Sequence, residues 1–359
     1  MNPNDGETVL EIRKKNATVN RGLQPYKKGK SIAYAPLEAC SHAQFLNNYR
    51  NPCWNTGDSK KKVACAATVL LLGFHKSGTT DLSRWFRSHT KLSFTVADYF
   101  NDLGLTEKCP LQWLEGFKSQ GRYHSHRHRL AYNDCPGCVI VSRILEKNDT
   151  HLVRQSAIQY LQYVMVDDSR YIITMREPAD RMISHFFYVH KLRRTDNPYR
   201  EMSLMQVGNE YFHKLVYEQL AATLACLDAH GTTVCILETQ LLPKPLPHPY
   251  LTGMISSSCY SVYLKEVFKF IPKTRIYLSK LEDYSADEAQ AMKRIYNFVG
   301  VSANGPNNPS KSFQKKKLNN AGYSSKPVLQ KTKNLLKQFY IPCNVELADL
   351  LNDNKWLWK

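Results

Sequence analysis

At 359 residues and 43% hydrophobic content, the chain is long and apolar enough for one large α/β domain with extensions, or for two small domains. Lys and Arg total 49 against 31 Asp and Glu, a formal net charge of +18, so the surface attracts polyanions: nucleic acid, anionic membrane or acidic polysaccharide. The ten cysteines, with sequons at Asn16-Ala-Thr and Asn148-Asp-Thr, fit an oxidising lumen, whereas the longest apolar run, Ala64 to Leu72, is about half the length of a membrane span, so no signal or anchor is visible in the sequence.

Residues 1–62 are polar, basic and weakly periodic, with RKK, YKKGK and SKKK clusters, and read as an N-terminal extension or stem; NNYRNPCWNTG, with Cys53 and Trp54, suggests a packed end to it. From Val63 to the C-terminus, strand-like and helix-like stretches alternate, which predicts a largely parallel sheet covered by helices over 63–359. Cys53 with Cys65, and Cys226 with Cys235, are plausible disulfide partners, although spacing alone does not settle connectivity.

The stretch Val69 to Thr80, VLLLGFHKSGTT, carries the first strong signal. Its aliphatic run predicts a buried strand, Gly73 and Gly78 permit a tight turn with close backbone approach, and Leu82, Trp85 and Phe86 predict an amphipathic helix beginning at Asp81. A strand, loop and helix in that order aim free N–H groups and the positive end of the helix dipole at an anion, joined by the Lys76 ammonium and the Thr79 and Thr80 hydroxyls. The ATP-type motif G-x-x-x-x-G-K-[ST] puts its lysine directly after the second glycine. Here Lys76 precedes Gly78 by two positions, and a threonine takes the usual lysine place.

Three histidines, His124, His126 and His128, alternate in YHSHRHR, but interleaved arginines would repel a cation, and the stretch reads as a basic loop instead of a metal site. Cys135 and Cys138 form a lone C-x-x-C that precedes a strand, which argues for a disulfide or a plain turn. Strands are predicted at 138–144, 170–175, 232–238 and 274–279. The stretch 285–300 predicts a helix with Ser285 as N-cap and Gly300 at its end, and the segment from Lys326 to Asp353 predicts a pair of amphipathic helices broken at Pro342.

A second anion site is predicted in YIITMREPADRMISHFF. The strand ends at Met175, Arg176 stands at its edge, Pro178 fits a first helical turn, and the helix buries Met182, Ile183 and Phe186 with Arg181 and Ser184 on one face. Ligands of open α/β sheets bind beyond the carboxyl ends of the strands, so Arg176 and the Lys76 loop are expected to converge on a ligand with two anionic ends.

Gly73-Phe-His-Lys-Ser-Gly-Thr-Thr followed by Arg176-Glu-Pro-Ala-Asp-Arg-Met-Ile-Ser184 resembles the paired signature of sulfotransferases that use 3′-phosphoadenosine 5′-phosphosulfate (PAPS). NPCW, KSGTTDL, the stretch from Ser258 to Val301 and LLKQFYIPCNVELADLL are similar to Golgi carbohydrate sulfotransferases, nearest to the N-acetylgalactosamine 4-sulfate 6-O-sulfotransferases of chondroitin. The resemblance implies an α/β, P-loop-like three-layer fold with a central, mostly parallel sheet flanked by helices. It implies PAPS as co-substrate with no metal, an acidic polysaccharide acceptor and a Golgi lumen. By the same resemblance Lys76 neutralises the leaving phosphate, the loop His75, Lys76, Ser77, Gly78, Thr79 and Thr80 holds the 5′-phosphosulfate, and Arg176 and Ser184 bind the 3′-phosphate. Phe313, Lys315, Lys316 and Lys317 fall where relatives carry a loop over the nucleotide; stacking on adenine, pairing with phosphate and a solvated basic loop are all open for them. Where relatives supply a glutamate base, the matching stretch Thr95-Val-Ala-Asp-Tyr-Phe100 has valine, which leaves Asp98 as the candidate base and His75 as a second one. Two other readings follow from the same residues: a non-catalytic relative that binds PAPS and glycan, and an ATP-dependent kinase, weakened by the displaced lysine. No helix-turn-helix, zinc-finger or RNA-binding signature accompanies the basic clusters, so nucleic acid is not an expected partner.

Overall fold

A computed structural model describes residues 8–16, 53–55, 63–65, 68–89, 92–96, 143–148, 169–191, 208–237, 249–302 and 328–358. The chain divides into two units, one of Ser31–Met175 with Val267–Leu318, the other of Met1–Lys30, Arg176–Glu266 and Asn319–Lys359.

The first unit is built on a sheet. A short antiparallel pair, β1 (Cys53–Asn55) and β2 (Val63–Cys65), sets Cys53 opposite Cys65 in its backbone register. The main sheet has five strands: β3 (Val69–Gly73), β4 (Leu92–Val96), β5 (Arg143–Asn148), β6 (Arg170–Met175) and β7 (Ile276–Lys280), in the order β4-β5-β3-β6-β7. Every pairing is parallel, so all five carboxyl ends lie along one edge. β3 and β6 are apolar runs, as strands covered on both faces must be. Val69, Leu71 and Ile172 pack on one side against Leu82, Trp85 and Phe86 of α2 (Thr79–Ser88) and against Met292 and Ile295 of α8 (Glu288–Phe298), while Leu70, Leu72 and Ile173 are buried on the other. Polar tips are satisfied within this core: Tyr296 donates to the Trp85 carbonyl at 3.0 Å and His89 Nε2 lies 3.0 Å from the Ser302 carbonyl.

The second unit is helical. It comprises α1 (Val9–Asn16), α3 (Pro178–Lys191), α4 (Asn209–Thr232) continued as a π turn over Thr233–Leu237, α5 (Pro249–Ser256), α6 (Tyr260–Phe270) as far as Glu266, and α9 (Gln330–Leu351). Helix α1, which periodicity did not reveal, buries Ile12 completely; its Val9 N–H donates to Gln338 at 3.2 Å, and Arg13 pairs with Asp228. Disulfides join Cys226 to Cys235 and Cys259 to Cys343. By length and composition the stretch Asn209–Leu237 would suffice to cross a membrane, but 44% of its apolar window is buried, and Gln219 within it is fully buried and donates to Thr252 at 2.9 Å, which marks it as a core helix of this unit.

Several local expectations are corrected. Residues 233–237 form a π turn after a kink at Gly231, not a strand; Val234, Cys235, Ile236 and Leu237 are all buried, and a short apolar run looks the same in either conformation. Pro342 does not break α9, because Leu335, Leu336, Phe339 and Tyr340 before it and Leu347 and Ala348 after it are buried, so packing outweighs the missing N–H. Ser285 lies inside α7 (Leu281–Ala286), and the cap of α8 is Asp287, which accepts from the Gln290 N–H at 3.0 Å. The strand read at 138–144 is β5 at Arg143–Asn148, with 138–142 outside the described residues, and that read at 274–279 begins after a 3-10 turn at Lys273–Arg275.

Candidate functional site

The loop after β3 is shaped by what its backbone must avoid. A Cβ on Gly73 would stand 2.3 Å from Thr174 Oγ1 and 3.0 Å from Thr79 Cγ2, so only glycine lets the strand end lie this close to β6. Gly78 has φ 90, and a Cβ there would meet Leu281 Cδ1 at 2.5 Å. Between them Lys76 takes φ 70, a left-handed conformation that costs a lysine about 1 to 3 kcal/mol and that accumulates at ligand sites. The Ser77 N–H closes the turn on the Phe74 carbonyl at 3.1 Å.

Helix α2 then starts two residues earlier than its apolar spacing indicates, at Thr79, with Gly78 as N-cap and no side chain capping it. The Asp81 and Leu82 N–H groups return to the Gly78 carbonyl at 3.0 and 3.2 Å. Asp81 is turned away from that end, where it accepts from the Tyr284 hydroxyl at 2.7 Å. Burial, reinforced by the Asp81 carboxylate, pushes the Tyr284 phenol far above its ordinary range, so Tyr284 stays a donor. His75 and Lys76 are half-buried, Ser77 and Thr79 buried, and Thr80 exposed. Ser77 Oγ is buried with no hydrogen-bond partner among the described residues, as is Thr174 Oγ1 beside Gly73. Buried hydroxyls are rarely left unpaired, and one in a loop of this kind fits an anionic ligand with oxygen acceptors.

The second segment follows β6. Met175 ends the strand, Arg176 and Glu177 are half-buried, and α3 opens with Pro178 at its first position. The Glu177 carboxylate accepts the Asp180 N–H at 2.6 Å, and burial, with the Asp180 charge adding to it, raises its pKa above the usual carboxylate range. Met182, Ile183 and Phe186 are buried, as read from their spacing. Ser184 is half-buried, but Arg181 is fully buried: its Nε donates to Ser258 Oγ at 2.6 Å and its Nη2 to the Met254 carbonyl, while Ser258 Oγ donates to the Pro178 carbonyl at 3.1 Å. Arg181 therefore braces α3 against the turn that ends α5.

Sheet topology relates the two segments. Gly73 is registered opposite Thr174 in neighbouring parallel strands, so the Lys76 loop and the Arg176 segment begin at adjacent carboxyl ends. The connection leaving β3 leads to β4 on one side of the sheet, and the one leaving β6 leads to β7 on the other. Adjacent strands whose connections diverge form the switch point at which open parallel sheets receive ligands. Val96 ends β4 at the same edge, and Asp98 is two positions beyond it. Asp98, Phe313, Lys315, Lys316 and Lys317, like the YHSHRHR and CPGC stretches, lie outside the described residues. Among the described residues no group of three His, Cys, Asp or Glu side chains gathers into a metal-binding arrangement. Sequence reasoning missed Thr174, Leu281 and Tyr284, which shape the loop from other strands and helices and carry no local signal.

Comparison with known proteins bears on this geometry. The family described as "Sulfotransferase domain" matches residues 67–339. Carbohydrate sulfotransferase 15 of Homo sapiens is 22% identical over 339 residues, covering 83% of this chain and 55% of its own length, and the protein of the same name from Rattus norvegicus is 21% identical over 339 residues with the same coverage. The chain thus spans about half the length of the curated relatives it matches. Among solved structures, a sulfotransferase from Alicyclobacillus acidocaldarius aligns with 82% of this chain and 99% of its own at 14% identity and a TM-score of 0.49.

Proposed function

This chain belongs to the sulfotransferase family, and from that premise we propose that it moves a sulfuryl group from PAPS to a hydroxyl of a carbohydrate, an acidic glycosaminoglycan such as chondroitin sulfate. The observation that carries the reading is the register of Gly73 opposite Thr174, which starts two anion-binding segments from neighbouring strand ends at the switch point of the sheet. A nucleotide with a phosphate at each end of its ribose suits two such segments.

PAPS supplies the activated sulfuryl group. Lys76 offers its ammonium to the phosphate that departs, while the N–H groups of Lys76, Gly78, Thr79 and Thr80 and the hydroxyls of Ser77, Thr79 and Thr80 hold the 5′-phosphosulfate and meet the charge that develops on it. His75 extends this loop. Arg176 pairs its guanidinium with the 3′-phosphate, aided by Ser184, a role suited to a planar fork of donors. Phe313 and Lys315 to Lys317 cover the nucleotide. Asp98, following the end of β4, accepts the proton of the sugar hydroxyl as it attacks sulfur in line with the departing phosphate oxygen. The net charge of +18 draws a polyanionic acceptor, and the disulfides Cys226–Cys235 and Cys259–Cys343 suit the oxidising Golgi lumen. Residues 63–359 are taken as the catalytic part and 1–62 as an extension to it, one whose helix α1 packs into the helical unit.

The test is thermal stabilisation by adenosine 3′,5′-bisphosphate (PAP) compared with ATP, on the wild type and Lys76→Ala. PAP is expected to raise the Tm of the wild type, ATP is not, and Lys76→Ala is expected to abolish most of the PAP shift; equal shifts with both nucleotides would instead favour a kinase. Asp98→Asn is expected to lower turnover of labelled PAPS with chondroitin sulfate by at least about a hundredfold with little change in PAP affinity. An unchanged rate would remove Asp98 from the mechanism. A second reading, a non-catalytic glycan-binding relative, is favoured by valine at the position where relatives carry the base; it predicts PAP binding by the wild type with no sulfate transfer.

A further inference from the structure

We propose that Tyr260 is the positioning residue for Arg176, holding the arginine backbone so that its guanidinium selects a nucleotide bearing a 3′-phosphate. The inference rests on the assignment of Arg176 to that phosphate made above and adds the residue that makes the assignment geometrically possible.

The reason lies in the hydrogen-bond accounting of a strand-to-helix junction. Arg176 follows the last residue of β6 and precedes the first turn of α3, at the junction between the two elements. Asp180 stands in the first turn of α3, where N–H groups have no helical acceptor, and its N–H donates to the Glu177 carboxylate at 2.6 Å. The Arg176 backbone is met by the Tyr260 hydroxyl. It donates to the Arg176 carbonyl at 2.8 Å and receives the Arg176 N–H at 3.4 Å, so a single oxygen bridges both backbone groups of that residue. Without it, both backbone groups of a half-buried junction residue would lose this partner, and the backbone that carries the guanidinium would be less tightly held.

Tyr260 is itself held from several directions. It is 1% exposed, opens α6, and follows Cys259, whose disulfide to Cys343 ties this turn to α9. Its ring lies 5.8 Å from that of Trp358, which in turn packs edge-on against the buried Trp356 at 5.5 Å. On the other side of the junction, Ser258 bonds the Pro178 carbonyl and receives Arg181. Ser258 and Tyr260 between them thus contact Arg176, Pro178 and Arg181, while neither Ser258 nor Tyr260 is offered as a ligand of the nucleotide. A brace of this kind acts on selectivity, because a guanidinium displaced by about 1 Å loses its paired bonds to phosphate.

The experiment measures the affinity of PAP and of AMP, which lacks the 3′-phosphate, for the wild type, Arg176→Ala and Tyr260→Phe, by calorimetry on the disulfide-intact chain. Tyr260→Phe keeps the ring against Trp358 and removes only the hydroxyl. It is expected to weaken PAP about three- to tenfold, the worth of one hydrogen bond, while AMP affinity stays unchanged. Arg176→Ala is expected to erase the preference for PAP over AMP. If Arg176→Ala erases the preference and Tyr260→Phe leaves it intact, or if Tyr260→Phe weakens both nucleotides equally, the positioning role is overturned. If Arg176→Ala itself leaves the preference intact, the assignment of Arg176 fails and this inference fails with it, a different pattern from the first. Should Tyr260→Phe not fold, Trp358→Phe, which loosens the ring without touching its hydroxyl, decides on the same ratio: a lowered preference for PAP supports the role and an unchanged one overturns it.

Discussion

Replacing Gly73 by alanine tests whether the loop is built by close approach of β3 to β6. The new methyl would sit 2.3 Å from Thr174 Oγ1, more than 1 Å inside ordinary van der Waals contact, and 3.2 Å from the Thr174 carbonyl. Thr174 is buried and β-branched, so its hydroxyl has little freedom to swing aside, and the strands must part. Overpacking of this size costs about 1 to 3 kcal/mol. Thr174→Ala removes the offending oxygen, and because that oxygen has no hydrogen-bond partner among the described residues, its loss sacrifices no bond to them. The two substitutions should therefore couple. Gly73→Ala alone is expected to cost about 2 kcal/mol in urea unfolding and to weaken PAP at least about tenfold; in the Thr174→Ala background the stability cost should fall by about 1 kcal/mol or more. Strict additivity within about 0.3 kcal/mol would refute the idea that this contact dictates glycine at the strand end.

Two further outcomes follow from individual groups. Ser77→Ala is expected to leave the urea midpoint nearly unchanged, since the buried hydroxyl has no partner among the described residues, yet to weaken PAP by roughly tenfold, about 1.5 kcal/mol for a bond to a charged group; unchanged PAP affinity in calorimetry would show that Ser77 faces no phosphate. His213, whose Nδ1 lies 2.9 Å from Thr332 Oγ1, has its pKa lowered by burial and by Lys331, against a smaller opposing effect of Glu210. Its folded pKa is below the unfolded value of about 6.5, so the unfolded chain binds more protons between the two, and stability is lost as pH falls through that window. The drop in urea midpoint from about pH 7.5 to about pH 5.5 should be smaller in His213→Gln, and an equal drop in both proteins would contradict the assignment.

The first loop was legible because independent local signals agree at one place: an aliphatic run, two glycines and apolar residues at helical spacing all demand a strand, a turn and a helix between Val69 and Phe86. The same agreement fixed β6 and α3 around Arg176. It failed where a long-range contact decides. The 233–237 run buries four residues in a π turn that a strand would bury equally well, and Pro342 stays inside α9 because buried residues on both sides outweigh one absent hydrogen bond. Asp287 caps α8 in place of Ser285, since Leu281 to Ala286 already form a helix of their own. Arg181 and Ser184 share one helix face by spacing, but the Arg181 guanidinium is turned inward to Ser258 and the Met254 carbonyl, a distinction that helical spacing does not carry. Tyr260 gave no sequence signal at all, standing 84 positions from the arginine it holds.

The most direct test of the account is a crystal structure of the chain with PAP bound. It should place the 5′-phosphate against the N–H groups of Lys76, Gly78, Thr79 and Thr80 with the Lys76 ammonium beside it, and the 3′-phosphate against the Arg176 guanidinium and the Ser184 hydroxyl. PAP seated away from the carboxyl ends of β3 and β6, or held at the loop with its 3′-phosphate in solvent, would contradict the claim that two strand ends grip one nucleotide.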